Sequence, residues 1–203
     1  MQKRLIVLLI SIMLLTMTAC GNKSLESANE AIAEQTDVED EPKADLTEDN
    51  GESNEQEIIT FSDGELRWKL PEQFEELEDE EGIYVHKSYP KDISTVSYII
   101  LENDSSFTDI TKEEFQSMLE DDIYDTYGDE VDVIVNKYEK GKLNDRNTLR
   151  IDFEFQFKGT DYEQIEIIIF NGDETHIINY MQEKGGKWSE EFEKSISSMS
   201  FAQ

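Results

Sequence analysis

The sequence predicts an α+β fold, an antiparallel meander of about six to eight strands packed with two helices. Three observations predict it. Leu149, Ile151, Phe153, Phe155 and Phe157 alternate strictly with Arg150, Asp152, Glu154 and Gln156, the period of a strand with one dry and one wet face. Turn-forming residues separate several such blocks, which favours hairpin neighbours over long crossovers. Two other stretches carry apolar residues at helical spacing.

The chain opens MQKRLIVLLISIMLLTMTAC. Lys3 and Arg4 give a positive start, and Leu5 to Leu15 is apolar except for Ser11. This run is short for a membrane span and has the form of an export signal. It ends Met17-Thr18-Ala19-Cys20, followed by Gly21, and Cys20 is the only cysteine of the chain. That ending resembles the lipobox of bacterial lipoproteins. The resemblance implies that residues 1–19 are removed and that the Cys20 thiol carries a diacylglyceryl group. An odd cysteine in an exported chain is thereby accounted for, and two acyl chains suffice for stable anchoring.

Residues 20–56 read as a lipidated cysteine followed by a disordered acidic linker. Residues 21–56 hold twelve acids against two bases and no Phe, Tyr or Trp. Such a stretch cannot bury enough apolar surface to offset the entropy of ordering it. From residue 57 aromatic and branched residues return in periodic blocks, so residues 57–203 are expected to form one domain. The whole chain carries 48 acidic and 18 basic residues, a net charge of −30. A surface this negative repels nucleic acid, which is bound through its phosphates, and anionic lipid headgroups.

Within the domain, Glu57 to Ser62 and Glu65 to Leu70 flank Asp63-Gly64, a hairpin pair. Ile83 to Lys87 and Thr95 to Leu101 follow as strands. Thr111 with Glu114 three residues on is a capping box, and Phe115, Met118, Leu119, Ile123 and Tyr127 make one stripe that Gly128 ends. Val131, Val133 and Val135 begin the next strand, then comes residues 149–157. Lys158-Gly159 turns into Glu163 to Phe170, and Asn171-Gly172 is a second hairpin signal before Thr175 to Met181. Trp188, Phe192 and Ile196 mark a second helix. Each helix stripe is expected on the dry face of the sheet, and Met199 and Phe201 are expected to close the core.

This order, with Leu70-Pro71-Glu72-Gln73-Phe74 early and Ser195-Ile196-Ser197-Ser198-Met199-Ser200-Phe201 at the end, resembles the PsbP-like group of α/β proteins, which includes many small bacterial lipoproteins. The resemblance covers most of residues 57–203. It implies an antiparallel sheet flanked by helices and a binding or assembly role, and it carries over no catalytic residue.

The chain contains no Gly-x-Ser-x-Gly elbow, no phosphate loop and no His-Glu-x-x-His pair. Its only histidines, His86 and His176, could build a zinc site with a carboxylate if the fold brought them together. Glu120, Asp121, Asp122, Asp125, Asp129 and Glu130 offer hard oxygen ligands for calcium, without the EF-hand spacing. Tyr84, Tyr89, Tyr98, Tyr124 and Tyr138 could line a protein- or sugar-binding surface. The expected reading is a monomeric lipoprotein on the extracytoplasmic face of the cell membrane. It touches lipid through the Cys20 diacylglycerol, needs no cofactor, binds a protein or small ligand, and is not an enzyme. The alternative is a calcium- or zinc-dependent protein or hydrolase built from scattered carboxylates and the two histidines, and convergence of His86 with His176 would discriminate.

Overall fold

Where apolar residues alternate, the chain lies flat against one layer, and where they run together it is covered twice. A computed structural model of the protein describes residues 58–61, 66–78, 80–102, 107–128 and 131–201. Among these, ten strands and two helices follow in order. They are β1 (Ile58–Phe61), β2 (Leu66–Lys69), β3 (Phe74–Glu76), β4 (Ile83–His86), β5 (Thr95–Glu102), α1 (Lys112–Tyr127), β6 (Val133–Leu143), β7 (Arg146–Phe157), β8 (Thr160–Asn171), β9 (Glu174–Glu183), α2 (Ser189–Ser197) and β10 (Ser200–Phe201). The seven strands of the large sheet lie within the expected six to eight, and a small sheet adds three more. The missed strands, β3 and β10, have three and two residues, too few to show a period.

The large sheet has the order β3-β4-β5-β9-β8-β7-β6, and a small sheet has the order β1-β2-β10. All pairings are antiparallel. Strands β6 to β9 form the expected meander. Its turns lie at Asn144-Asp145, Lys158-Gly159 and Gly172-Asp173, since Leu143 faces Arg146, Phe157 faces Thr160 and Asn171 faces Glu174. The last turn is thus one residue later than Asn171-Gly172, with Gly172 at φ 64° supplying the left-handed conformation. Residues 62–65, with the Asp63-Gly64 turn, lie outside the described residues, but β1 and β2 pair as that turn requires, Phe61 facing Leu66.

Both helices form where their local signals place them. Thr111 Oγ1 accepts from the Glu114 amide at 3.2 Å, and Glu114 Oε2 accepts from the Thr111 amide at 2.9 Å. Gly128, at φ 71°, ends α1 with its amide donating to the Tyr124 carbonyl. Helix α2 starts after Trp188, whose carbonyl accepts from the Phe192 amide at 2.8 Å.

The helices do not share a face. Phe115, Leu119 and Ile123 of α1 pack with Ile151, Phe153, Ile168, Ile177 and Met181. Trp188 and Phe192 of α2 pack with Leu66 and Trp68 of the small sheet and with Ile167, Ile169, Ile178 and Tyr180 on the opposite face. The expectation of one dry face is corrected by the central strands. Ile167-Ile168-Ile169 and Ile177-Ile178 are buried on both sides, so each face needs its own cover.

The Leu70-Pro71-Glu72-Gln73-Phe74 segment carries the chain from the small sheet to the large one. Phe74 N–H donates to the Pro71 carbonyl, and Gln73 adopts φ 67°. Ser195 Oγ and Ser198 Oγ fasten the end of β2 to α2 by bonds to the Lys69 carbonyl and amide at 2.6 and 2.7 Å. Among the described residues no helix is long and apolar enough to cross a membrane.

Gly82 marks a close backbone approach. It sits at φ 76°, and a Cβ there would lie 2.7 Å from the Tyr98 carbonyl oxygen. At Gly172 a Cβ would meet nothing within 4 Å. Gly82→Ala is expected to cost roughly 2 kcal/mol or more and Gly172→Ala about 1 kcal/mol, measured by urea denaturation of the two variants.

Candidate functional site

The two histidines lie on the α2 side of the sheet but far apart. His86 N–H bonds to the carbonyl of Ser94, just before β5, whereas His176 faces Ile100 on the same strand. Six residues of extended chain separate them by about 20 Å. Each has its own surroundings. His86 Nδ1 meets Ser88 Oγ at 2.6 Å and Asp92 Oδ2 at 3.6 Å, and Nε2 meets Gln73 Oε1 at 3.3 Å. A Ser-His-Asp relay needs hydroxyl and acid on opposite ring nitrogens; here both lie at Nδ1. The ring packs against Phe74 and against Trp188, 4.7 Å between centroids. Burial pushes the Asp92 carboxyl up, but hydrogen bonds from Ser94 and from Trp188 Nε1, the latter at 2.9 Å, outweigh it and hold Asp92 below its ordinary value. His176 is fully buried, with Nδ1 2.8 Å from the Tyr98 hydroxyl and Nε2 3.5 Å from Glu174 Oε2. The proposed His86–His176 zinc site is not assembled.

The acidic residues of α1 also part ways. Glu120 Oε1 accepts from the Val133 amide at 3.2 Å and ties the helix to the sheet edge. Asp122 is buried, and Asp121 and Asp125 are exposed. Asp129 and Glu130 lie outside the described residues. Among the described residues no group of three or more His, Cys, Asp or Glu is arranged to hold a metal. Of the five tyrosines considered for a surface, Tyr84 and Tyr98 are core residues. The Tyr138 hydroxyl donates to the Ile110 carbonyl, and only Tyr124 is strongly exposed.

Two polar assemblies remain, one on each face. On the α2 side a cleft of about 270 Å³ runs between β7, β8 and the helix. Arg150 fills one wall. Its Nε and Nη2 bond Asp152 at 2.7 and 2.9 Å, and Nη1 and Nη2 bond Glu193 of α2 at 2.9 and 2.5 Å. The Glu193 carboxylate, then that of Asp152, hold the guanidinium above its ordinary range, and Arg150 lowers Glu193 in return. Gln182 Nε2 donates to Glu163 and Ser189 at 2.5 and 2.8 Å, and Gln182 Oε1 accepts from the Trp188 amide at 2.9 Å. The bonds of Arg150 to Glu193 and of Gln182 to Ser189 and Trp188 seat α2 on the sheet.

On the α1 side, three consecutive places across the sheet centre are polar. Glu166 of β8 faces Asn179 of β9, which faces Ser97 of β5. Their exposures are 2%, 0% and 3%. Ile151 and Ile83 flank the row, and Gln164 Nε2 donates to Asn179 Oδ1 at 2.9 Å. Glu166 Oε1, Asn179 Nδ2 and Ser97 Oγ have no hydrogen-bond partner among the described residues. Burial alone pushes the Glu166 carboxyl up to about 8. This row is the candidate site, because three adjoining buried side chains each present a polar atom without a hydrogen-bond partner among the described residues.

Comparison with solved structures settles the architecture. The solution structure of cyanobacterial PsbP from Synechocystis superposes with a TM-score of 0.56 at 11% identity, over 77% of this chain and 99% of that one. The fold is PsbP-like. A Bacteroides thetaiotaomicron structure (TM-score 0.47, 15% identity, 73% of this chain and 49% of that one) is also similar. So is LpqN, involved in cell envelope biogenesis of Mycobacterium tuberculosis (0.46, 10%, 73% and 91%). No family model matches the chain, and no curated protein matches it.

Of the residues singled out from sequence, Cys20, Asp129 and Glu130 lie outside the described residues, the two histidines do not meet, and the described acids belong to no metal-holding group. Sequence reasoning missed the row entirely. In Gln164-Ile165-Glu166-Ile167 the polar residues read as a wet face, and only the second covering layer makes them interior.

The raised Glu166 pKa has a definite sign. Between pH 4.5 and about 8 the folded protein keeps the Glu166 proton while the unfolded chain loses it, so stability falls as pH rises through this window and levels off above it. Glu166→Gln removes that dependence. Relative to the parent, the variant is expected to gain stability from pH 5 to pH 8, by a few kcal/mol in all, measured by denaturant titrations of both proteins at each pH.

Proposed function

We propose that the protein is a lipoprotein of the extracytoplasmic membrane face whose PsbP-like domain is a non-enzymatic binding or assembly module. The observation that carries the anchoring is the order Lys3-Arg4, apolar run, Thr18-Ala19-Cys20-Gly21, which fits export followed by lipid transfer to the one cysteine. The acidic segment 21–56 then serves as a spacer. As a coil it spans roughly 30–36 Å, more with self-repulsion, and holds the domain off the headgroups that its own charge repels. The Ser88 hydroxyl and the Asp92 carboxylate meet His86 at a single ring nitrogen, and His86 and Asp92 brace Trp188, a structural use of these groups that fits a binding module.

The anchoring is tested by growing expressing cells with a labelled fatty acid and by mass spectrometry of the mature N-terminus. Label on the protein, a first residue of diacylated Cys20, and release of Cys20→Ser from the membrane fraction are expected. An unlabelled protein with a free Cys20 thiol overturns the proposal.

A further inference from the structure

We infer that Ser97, Asn179 and Glu166 form a buried hydration site, which holds one ordered water molecule between the large sheet and the α1 layer. The three residues occupy directly facing positions on β5, β9 and β8. Facing Cα atoms of antiparallel strands lie about 4.5–5.5 Å apart, so Asn179 has Ser97 on one side and Glu166 on the other. Alternation puts all three on the side of Ile177, Met181 and Ile168, the side covered by Phe115, Leu119 and Ile123 of α1. Each presents one buried polar atom without a hydrogen-bond partner among the described residues. One such atom is unremarkable, but three at adjoining positions within an apolar layer define a site.

Their chemistry selects the guest. Asn179 Nδ2 offers only N–H hydrogens, whereas the Ser97 hydroxyl and the protonated Glu166 carboxyl each both donate and accept. The guest must therefore accept from an amide and also bond a neutral carboxyl. A cation would meet the amide hydrogens, and an anion would bring an uncompensated charge into an apolar layer. An apolar group would leave all three unsatisfied at about 1–3 kcal/mol each. Water does both tasks, and three partners is the usual number for a buried water. Asn179 is held for this role from its other end, because its Oδ1 is occupied by Gln164. The site joins β5, β9 and β8 at the sheet centre, and it stands independently of the lipid anchor.

A crystal structure of the mature full-length chain at about 1.5 Å resolution tests the inference. An isolated peak is expected about 2.6–3.2 Å from Ser97 Oγ, Asn179 Nδ2 and a Glu166 oxygen. Peak-to-oxygen distances of about 2.3–2.6 Å with Asn179 reversed would indicate a cation and overturn the proposal, as would the three side chains bonding one another with no peak. In solution, the Asn179 side-chain amide should show a magnetisation-transfer cross-peak to a long-lived water. Ser97→Val, which fills the site with methyl groups, should abolish it. Absence of the cross-peak in the parent protein, or its survival in a folded Ser97→Val, also overturns the site.

Discussion

The burial of β8 and β9 on both faces is the constraint from which the rest of this architecture follows. Ile167, Ile168 and Ile169 stand beside Ile177 and Ile178, and no arrangement of a single covering layer could remove both sets from water. At roughly 25 cal/mol per Å² of apolar surface, the driving force for a second layer is large. Helix α1 supplies one layer. Helix α2, with the small sheet, supplies the other. The small sheet gathers β1 and β2 from the start of the domain and β10 from its end, so the closing residues Met199 and Phe201 complete the layer that Leu66 and Trp68 begin.

The two faces treat polar groups differently. Under α2 the charged groups find partners at the layer boundary, where Arg150 is shared between the sheet and the helix and Gln182 reaches Glu163, Ser189 and Trp188. These contacts fix where the helix sits. Under α1 the polar groups lie at the centre of the sheet, away from the boundary. There a low dielectric strengthens a completed network and raises the cost of an incomplete one, which is why Glu166 stands out.

With one cysteine in the chain, no internal disulfide supports the domain, and its exposed ion pairs contribute little. Lys137–Glu139, Lys194–Glu191 and Lys184–Glu154 each expose at least one partner by 40% or more, where such pairs are worth little. The edge strand β6 carries Lys137, Lys140 and Lys142 and a bulge between Val135 and Lys137, features that discourage pairing with another sheet edge. Apolar burial holds the fold.

What the sequence alone determined was local. Thr111, Glu114 and Gly128 set the limits of α1, because capping is settled within one helical turn. The alternation of Leu149 to Phe157 set β7, and the apolar spacing of Trp188, Phe192 and Ile196 set α2. The lysine-rich second half of β6 and the short β3 and β10 left no such trace, since each is a strand only by virtue of its partner. Tertiary structure alone decided which face each helix covers, how far His86 stands from His176, and that Ser97, Asn179 and Glu166 form one buried row. Those facts depend on register between strands up to about eighty residues apart in sequence, and in a ladder of period two a shift of one residue would turn every one of these side chains to the other face.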